Sequence, residues 1–252
     1  MRLSRLQRRH YTAFLLHAMT KLTFKPHNMT KYCAIRFFHE RYLPCLERKL
    51  RRSFPDETSV QFHSLLSLWI ASKLHETPPL SIRKLQNIAK KLIPDHYYTK
   101  KDFIDAVSSH IPIQNQKQEI KFLEAIDFDL KTGPLLSTYI EELLSEIRGK
   151  SKEIAKLVSL ELCLAILDLL YVCEDEILLA TPVELTGASI LVAAYLLVVP
   201  ITKSNFPILT WLHLSSNTST GSLKECTRRI LKCVLAGINS TETADSVLEH
   251  IF

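Results

Sequence analysis

Two long helical segments without a polar face set the strongest limit on how this 252-residue chain can fold. Residues 60–76, VQFHSLLSLWIASKLHE, are apolar on nearly every side from Leu65 to Ala71, and residues 181–199, TPVELTGASILVAAYLLVV, repeat the pattern. A helix that is apolar all round is a buried helix and needs other helices around it. The sequence therefore predicts an all-α protein whose two halves are each built round a buried central helix.

Amphipathic segments flank these two helices, so that each half of the chain has about five helices. Their apolar residues recur at intervals of three and four, which places them on one helix face. The predicted helices cover residues 5–22, 29–50, 60–76, 80–92, 99–107 and 119–130, and then residues 135–147, 153–173, 181–199, 206–215 and 222–238. Pro44 is expected to bend or end the second helix. Ser72 and Gly187 are expected to be packing residues, because neighbouring backbones approach a buried helix closely.

The positive charge of the chain is concentrated at its start. Residues 1–54 hold 13 Lys and Arg against two Glu, a net charge of +11, and the remaining residues hold 19 against 24 acids, a net charge of −5. Such a segment fits nucleic acid, an acidic protein face or an import receptor, and it also fits a solvated helix surface. Four arginines in the first nine positions resemble a mitochondrial transit peptide. The competing interpretation is that residues 5–22 form the first helix of the fold.

Several classes of function lack their usual residues. The six cysteines form no C-x-x-C pair and no two histidines have the helical spacing of metal ligands, so we expect no metal and no cofactor. No G-x-S-x-G, H-E-x-x-H or glycine-rich phosphate loop is present, so we expect no catalytic residues and no enzyme. The longest uncharged apolar run, residues 188–199, is shorter than the roughly 20 residues of a membrane-spanning helix. We therefore expect no association with a membrane.

Lys73 follows an apolar run and two small residues, and it precedes the Pro78-Pro79 pair that ends the segment. A lysine near the end of a helix offsets the helix dipole and can extend its charge to solvent. On the residue pattern alone, this structural role is the favoured interpretation. The alternative, that the ammonium recognises a partner, depends on a resemblance to a known family.

Residues 65–79, LLSLWIASKLHETPP, resemble the central helix of the cyclin box, where an Ala-Ser-Lys run precedes a Pro-Pro turn. Other segments resemble further helices of the two cyclin repeats, in the order and at the spacing of that family: AIRFFHERYL, YYTKKDFIDA, EIKFLEAIDFDL, GASILVAAYLLVVP, FPILTWL and SLKECTRRILKCVL. The likeness covers roughly residues 7–238. It is greatest to the small plant J-type cyclins, which have little besides two cyclin repeats.

The resemblance implies two consecutive five-helix cyclin-fold repeats, residues 1–130 and residues 131–252. It implies a regulatory subunit that binds and activates a cyclin-dependent Ser/Thr kinase in cell-cycle control, in the nucleus and the cytoplasm. The partner is then a protein kinase, and nucleic acid is not expected. The alternative function is that of a nucleic-acid-binding transcription factor with the same fold, which the basic N-terminal segment supports.

The same resemblance assigns the kinase-binding residues. Lys73 and Glu119 match the two polar anchors of the family, which bond to the backbone of the kinase αC helix and its preceding loop. Apolar contacts to the kinase are assigned to Ile70, Leu74, Leu123, Phe128 and Leu130.

The chain departs from the family pattern at two places. Residues 107–118 are an insertion before Glu119, and Pro112 lies within it. The insertion either forms a loop that leaves Glu119 in register or displaces that carboxylate. In the first helix, His17 stands where the family has an acid that pairs with basic substrates. We therefore do not predict substrate docking at the first helix.

Overall fold

The computed structural model describes residues 4–44, 57–93, 135–173, 175–199 and 206–236, and these residues form helices and connections without a strand. The prediction of an all-α protein is confirmed. The chain divides into two compact units, residues 1–133 and residues 134–252. The predicted helices at residues 99–107 and 119–130, and the insertion at residues 107–118, lie outside the described residues.

The first unit begins with helix α1, Arg5–Thr20, which confirms the predicted first helix. Ser4 caps it: the Ser4 hydroxyl accepts a hydrogen bond from the backbone N–H of Gln7 at 3.2 Å. The Gln7 side chain in turn accepts from the backbone N–H of Ser4 at 3.0 Å. This reciprocal capping box satisfies N–H groups that the first helical turn leaves without partners.

Helix α2, Asn28–Arg36, continues directly into a π-helical turn, Phe37–Tyr42. The backbone N–H of Leu43 then bonds to the carbonyl of Phe38, five residues earlier. A proline ring clashes with the carbonyl four residues before it, and a wider turn moves that carbonyl away from Pro44. Pro44 was expected to bend or end the helix; the described residues instead show a local change of helix type before the proline.

Helix α3, Glu57–His75, packs against α1, α2 and the π-helical turn, and against helix α4, Ile82–Leu92. Its side chains from Leu65 to Ser72 are buried. The prediction of a buried central helix in the first unit is thus confirmed. Ser81 caps the start of α4: its hydroxyl accepts a hydrogen bond from the Lys84 backbone N–H.

The second unit contains seven described helices: α5, Leu136–Lys150; α6, Lys152–Leu157; α7, Leu160–Cys173; α8, Asp175–Ala180; α9, Val183–Val198; α10, Ile208–Ser216; and α11, Thr220–Ala236. Helix α9 contacts each of the other six. Its residues from Thr186 to Tyr195 are all buried. The second predicted central helix is therefore confirmed as well.

Gly187 is a close contact point between α9 and α5. A β-carbon built on Gly187 would lie 2.6 Å from Cδ1 of Tyr139 and 3.2 Å from Cδ1 of Leu136. The first distance is far shorter than ordinary van der Waals contact between carbon atoms. The expectation that Gly187 is a packing residue is confirmed, because any larger residue would push the Tyr139 ring away.

The prediction of one long helix over residues 153–173 is wrong. The chain leaves the helical conformation at Val158, where φ is −90° and ψ is 97°, and helix α7 starts after Ser159. The Ser159 hydroxyl accepts a hydrogen bond from the Leu162 backbone N–H at 3.2 Å. Serine is one of the residues most favoured at the start of a helix. Here the Ser159 cap begins a new helix although the apolar pattern of the sequence continues across it.

Among the described helices, none combines the length and the apolar character that crossing a bilayer requires. Three of the described cysteines, Cys33, Cys163 and Cys226, are buried and form no disulfide. Burial raises the pKa of the Cys33 and Cys163 thiols to about 12. These two thiols are therefore protonated near neutral pH and behave as small apolar core residues.

Candidate functional site

Lys73 lies in the last turn of α3, at the point where the buried central helix reaches the surface. Its side chain is exposed, in contrast to the buried residues that precede it. The Nζ atom lies 4.1 Å from the centre of the Trp69 ring, which belongs to the preceding helical turn. Residues four apart share a helix face, and an ammonium over the face of an aromatic ring is attracted by the ring's quadrupole. Trp69 therefore gives the Lys73 side chain a preferred position.

The surroundings of Lys73 also affect the pKa of its ammonium group. Partial burial lowers its pKa from the ordinary value of 10.5, because desolvation disfavours the charged form. An ammonium that has already lost part of its water gives up less hydration when it donates hydrogen bonds to a partner. A lysine in this position is better prepared to bind backbone carbonyls than a fully solvated one.

Ser72, beside Lys73, has a polar role that the sequence analysis did not predict. The residue is buried, and its hydroxyl donates to the carbonyl of Trp69 at 2.7 Å. The same hydroxyl accepts from the backbone N–H of Leu80 at 3.1 Å. Ser72 thus ties the chain that follows the Pro78-Pro79 pair to the end of α3. The residue is a packing residue, as expected, and also a hydrogen-bonded link.

Glu76 connects the end of α3 to the beginning of α2. One of its carboxylate oxygens, Oε1, accepts from the backbone N–H of His27 at 2.7 Å and from the hydroxyl of Thr30 at 2.6 Å. Helix α2 has no acidic residue in its own first turn. A negative charge stabilises the start of a helix. Glu76, which is distant from α2 in the sequence, provides the negative charge that the first turn of α2 does not contain.

Sequence reasoning missed this function of Glu76 and treated the residue only as part of a motif. The available signal was the start of α2, which is basic and polar and offers no carboxylate near its first N–H groups. That absence indicates a cap from elsewhere in the chain, but it does not identify which acid provides it.

The apolar residues assigned to the site differ in exposure. Leu74, directly after Lys73, is 44% exposed, whereas Ile70, one turn before Leu74, is 6% exposed. Exposed large apolar side chains are uncommon in the described residues, where Leu6, Leu157, Leu197 and Leu214 are the others. Leu74 therefore offers an apolar surface beside the ammonium, and Ile70 contributes mainly to the core beneath it.

The remaining predicted site residues, Glu119, Leu123, Phe128 and Leu130, lie outside the described residues. The assignment of these four residues as kinase contacts stays a prediction, as does that of Lys73, Ile70 and Leu74. Within the part of the chain that the structure describes, no three His, Cys, Asp or Glu side chains are grouped so that they could hold a metal ion. The described site therefore consists of one cation, its aromatic support and an apolar neighbour.

An all-α chain with two buried central helices, one of which ends in an exposed lysine, has close counterparts among plant proteins. Cyclin-J18-like of Oryza sativa subsp. japonica is 34% identical over 244 residues, which cover 91% of this chain and 87% of that protein. Cyclin-J18 of Arabidopsis thaliana is 32% identical over 236 residues, which cover 90% of this chain and 94% of that protein. No protein-family model matches the chain.

These two similarities extend over nearly the whole length of both relatives, and the chain belongs to the cyclin family. The predicted resemblance to the small plant J-type cyclins is confirmed. Members of this family are regulatory proteins and not enzymes themselves.

Proposed function

We propose that this cyclin binds and activates a cyclin-dependent Ser/Thr kinase in the control of the cell cycle, in the nucleus and the cytoplasm. The observation that carries the proposal is the position of Lys73. The ammonium is exposed at the end of a buried helix, supported by the Trp69 ring at 4.1 Å and flanked by the exposed Leu74. This combination of one positioned cation and an adjacent apolar surface suits an exposed helix end on another protein.

A helix end is a suitable partner for such a site because its backbone groups are incompletely paired. The last carbonyls of a helix have no N–H partner within the helix, and an ammonium can donate hydrogen bonds to several of them. Such charge-assisted bonds are stronger than neutral ones. In a kinase, fixing the αC helix lets its glutamate reach the lysine that aligns ATP. Lys73 would thereby act on catalysis without taking part in the chemistry.

The second anchor in this proposal is Glu119, whose carboxylate would accept from N–H groups of the same kinase region. Leu123, Phe128 and Leu130 would extend the apolar contact that Leu74 begins. Two anchors of opposite charge would fix the orientation of the kinase helix as well as its affinity.

The proposal is tested by measuring the affinity of the full chain for a panel of purified cyclin-dependent kinases, together with phosphorylation of a Ser/Thr peptide. Lys73→Ala should weaken binding by about 1–3 kcal/mol, the cost of losing hydrogen bonds to a charged donor. Lys91→Ala is the matched control, because Lys91 is an exposed lysine on α4. Binding that is unchanged in Lys73→Ala, or reduced equally in the control, would contradict the assignment.

A second candidate function, nucleic-acid binding, is favoured by the surface of α4. Four of the five exposed residues of this helix, Arg83, Lys84, Lys90 and Lys91, are basic, and the helix contains no acid. Phosphate contacts make affinity fall steeply with salt. Between about 50 and 200 mM salt, the affinity of a kinase complex held mainly by apolar contact should change little. The affinity of a nucleic-acid complex should fall steeply over the same range. The two functions are therefore distinguished by titrating the same protein against kinase and against duplex DNA at both salt concentrations.

A further inference from the structure

The turn that contains Lys73 is held on both sides by hydrogen bonds. The backbone N–H of Glu76 donates to the carbonyl of Ser72 at 2.9 Å, which closes the last helical turn around Lys73. Ser72 joins this turn to the backbone of Leu80. Glu76 joins it to the start of α2, more than forty residues earlier in the sequence.

The bonds of Glu76 lie partly out of contact with water. Thr30, which donates to the carboxylate, is 1% exposed. Removing the carboxylate would leave the Thr30 hydroxyl and the His27 N–H without this acceptor. Water can replace the acceptor at the exposed His27, but an unpaired hydroxyl on the buried Thr30 is costly, so the surrounding chain would shift to find it another partner. The last turn of α3, which carries Lys73, directly precedes Glu76 in the chain. A shift of Glu76 would therefore move this turn.

We propose that Glu76 is a positioning residue for Lys73: by bonding to His27 and Thr30, it holds the last turn of α3 in the geometry that places the ammonium over Trp69. This proposal rests on the proposed function as far as kinase binding is concerned. The position of Lys73 relative to Trp69 can be tested without any kinase. Glu76 itself needs no contact with the partner.

The first experiment uses Trp69 as a fluorescent reporter of the Lys73 ammonium. The chain has two tryptophans, so Trp211→Phe leaves Trp69 as the sole tryptophan, which is excited selectively at wavelengths that tyrosine does not absorb. In this background, Lys73→Met gives the reference spectrum without the cation. Glu76→Ala should shift the Trp69 emission toward that reference while the far-ultraviolet circular dichroism stays that of a folded helical protein. Glu76→Gln keeps an oxygen acceptor and should restore much of the original spectrum.

Two further variants keep this test decisive. Thr30→Val removes one donor to Glu76 with little change of volume, and it should shift the emission in the same direction by a smaller amount. It replaces Glu76→Ala if that variant does not fold. Glu225→Ala, in α11, removes an exposed carboxylate that pairs with Arg228 and should leave the emission unchanged. An emission that Glu76→Ala and Thr30→Val leave unaltered overturns the proposal.

The second experiment measures kinase affinity in a double-mutant cycle. Glu76→Ala should weaken binding about tenfold, as expected if the displaced Lys73 loses one good hydrogen bond to the kinase. In the Lys73→Met background, the same substitution should have little further effect, because residues that act through one another are not additive. Fully additive losses would show that Glu76 does not act through Lys73. If no kinase binds the unmodified chain, the proposed function fails while the fluorescence result still decides the positioning role.

Discussion

The Nζ atom of Lys73 lies 4.1 Å above the centre of the Trp69 ring, one helical turn away. Trp69 is buried and therefore a fixed platform, while Lys73 is exposed. Through this contact, the buried Trp69 ring fixes the position of the Lys73 side chain at the surface. Long lysine side chains lose considerable conformational freedom when they bind, and a lysine already held in place loses less.

Replacing Trp69 should therefore reduce kinase affinity through Lys73. Phe retains an aromatic face and Leu does not, so we expect Trp69→Leu to bind the kinase more weakly than Trp69→Phe by about 0.5–1 kcal/mol. Both variants leave space in the core, so affinity should be measured well below each melting temperature. Equal affinities of the two variants would show that the ring face contributes nothing to binding.

Gly187→Ala should destabilise the protein, because the added methyl group would lie 2.6 Å from Tyr139. We expect a loss of about 1–3 kcal/mol in the free energy of unfolding, as for overpacked cores. Gly149→Ala is the matched control, since a β-carbon at Gly149 meets nothing within 4 Å. In that exposed helical position alanine should be neutral or stabilising by up to about 1 kcal/mol. Urea denaturation of both variants measures the difference, and similar effects would contradict the assigned role of Gly187.

The stability of the protein should decrease as the pH falls below about 6.5, the ordinary pKa of a histidine. Burial, and then the charge of His27, lower the pKa of His75, while Glu76 raises it. The unfolded chain therefore protonates His75 more readily than the folded chain does. The stability that neutral His75 contributes is complete above its unfolded pKa and is lost as the pH falls through its folded pKa. Melting temperatures between pH 8 and pH 5 should fall less in His75→Gln than in the unmodified protein. Parallel pH profiles of the two proteins would exclude this role for His75.

The insertion at residues 107–118 provides a separate test of Glu119. If the insertion displaces the Glu119 carboxylate, deleting it should strengthen binding to the kinase, because the second anchor returns to its position in the family pattern. A Glu119→Gln substitution in the shortened chain should then reverse the gain. Unchanged affinity after the deletion would show that the insertion is tolerated at this site. The affinity measurement used for Lys73→Ala serves here as well.

The sequence was sufficient to predict the central helices because their apolar pattern is continuous. A run such as residues 65–71 has no polar face, and burial on all sides is its only stable environment. The exposure of Lys73 and the burial of Ser72 followed from the same reasoning. The break at Ser159 could not be predicted in this way, since the apolar periodicity continues across it and a single serine cap decides the outcome.

The role of Glu76 was beyond sequence reasoning for a different reason. Its partners, His27 and Thr30, are close only after α2 and α3 have packed together. Local rules for helix caps consider the residues within one turn, and α2 has no acid there. The contact between Lys73 and Trp69 could in principle be predicted from the sequence, because the two residues are four positions apart on one helix. Nothing in the pattern indicated that the lysine would fold back over the ring.

The serines of α3 have a consequence for how the surrounding helices can change over time. Ser64, Ser67 and Ser72 donate their hydroxyl groups to carbonyls of their own helix, three or four residues earlier. The neighbouring helices therefore need not provide acceptors for these donors. The apolar residues that pack against α3 can therefore be replaced by other apolar residues during evolution. Such replacements leave the hydrogen bonds of these serine hydroxyls intact.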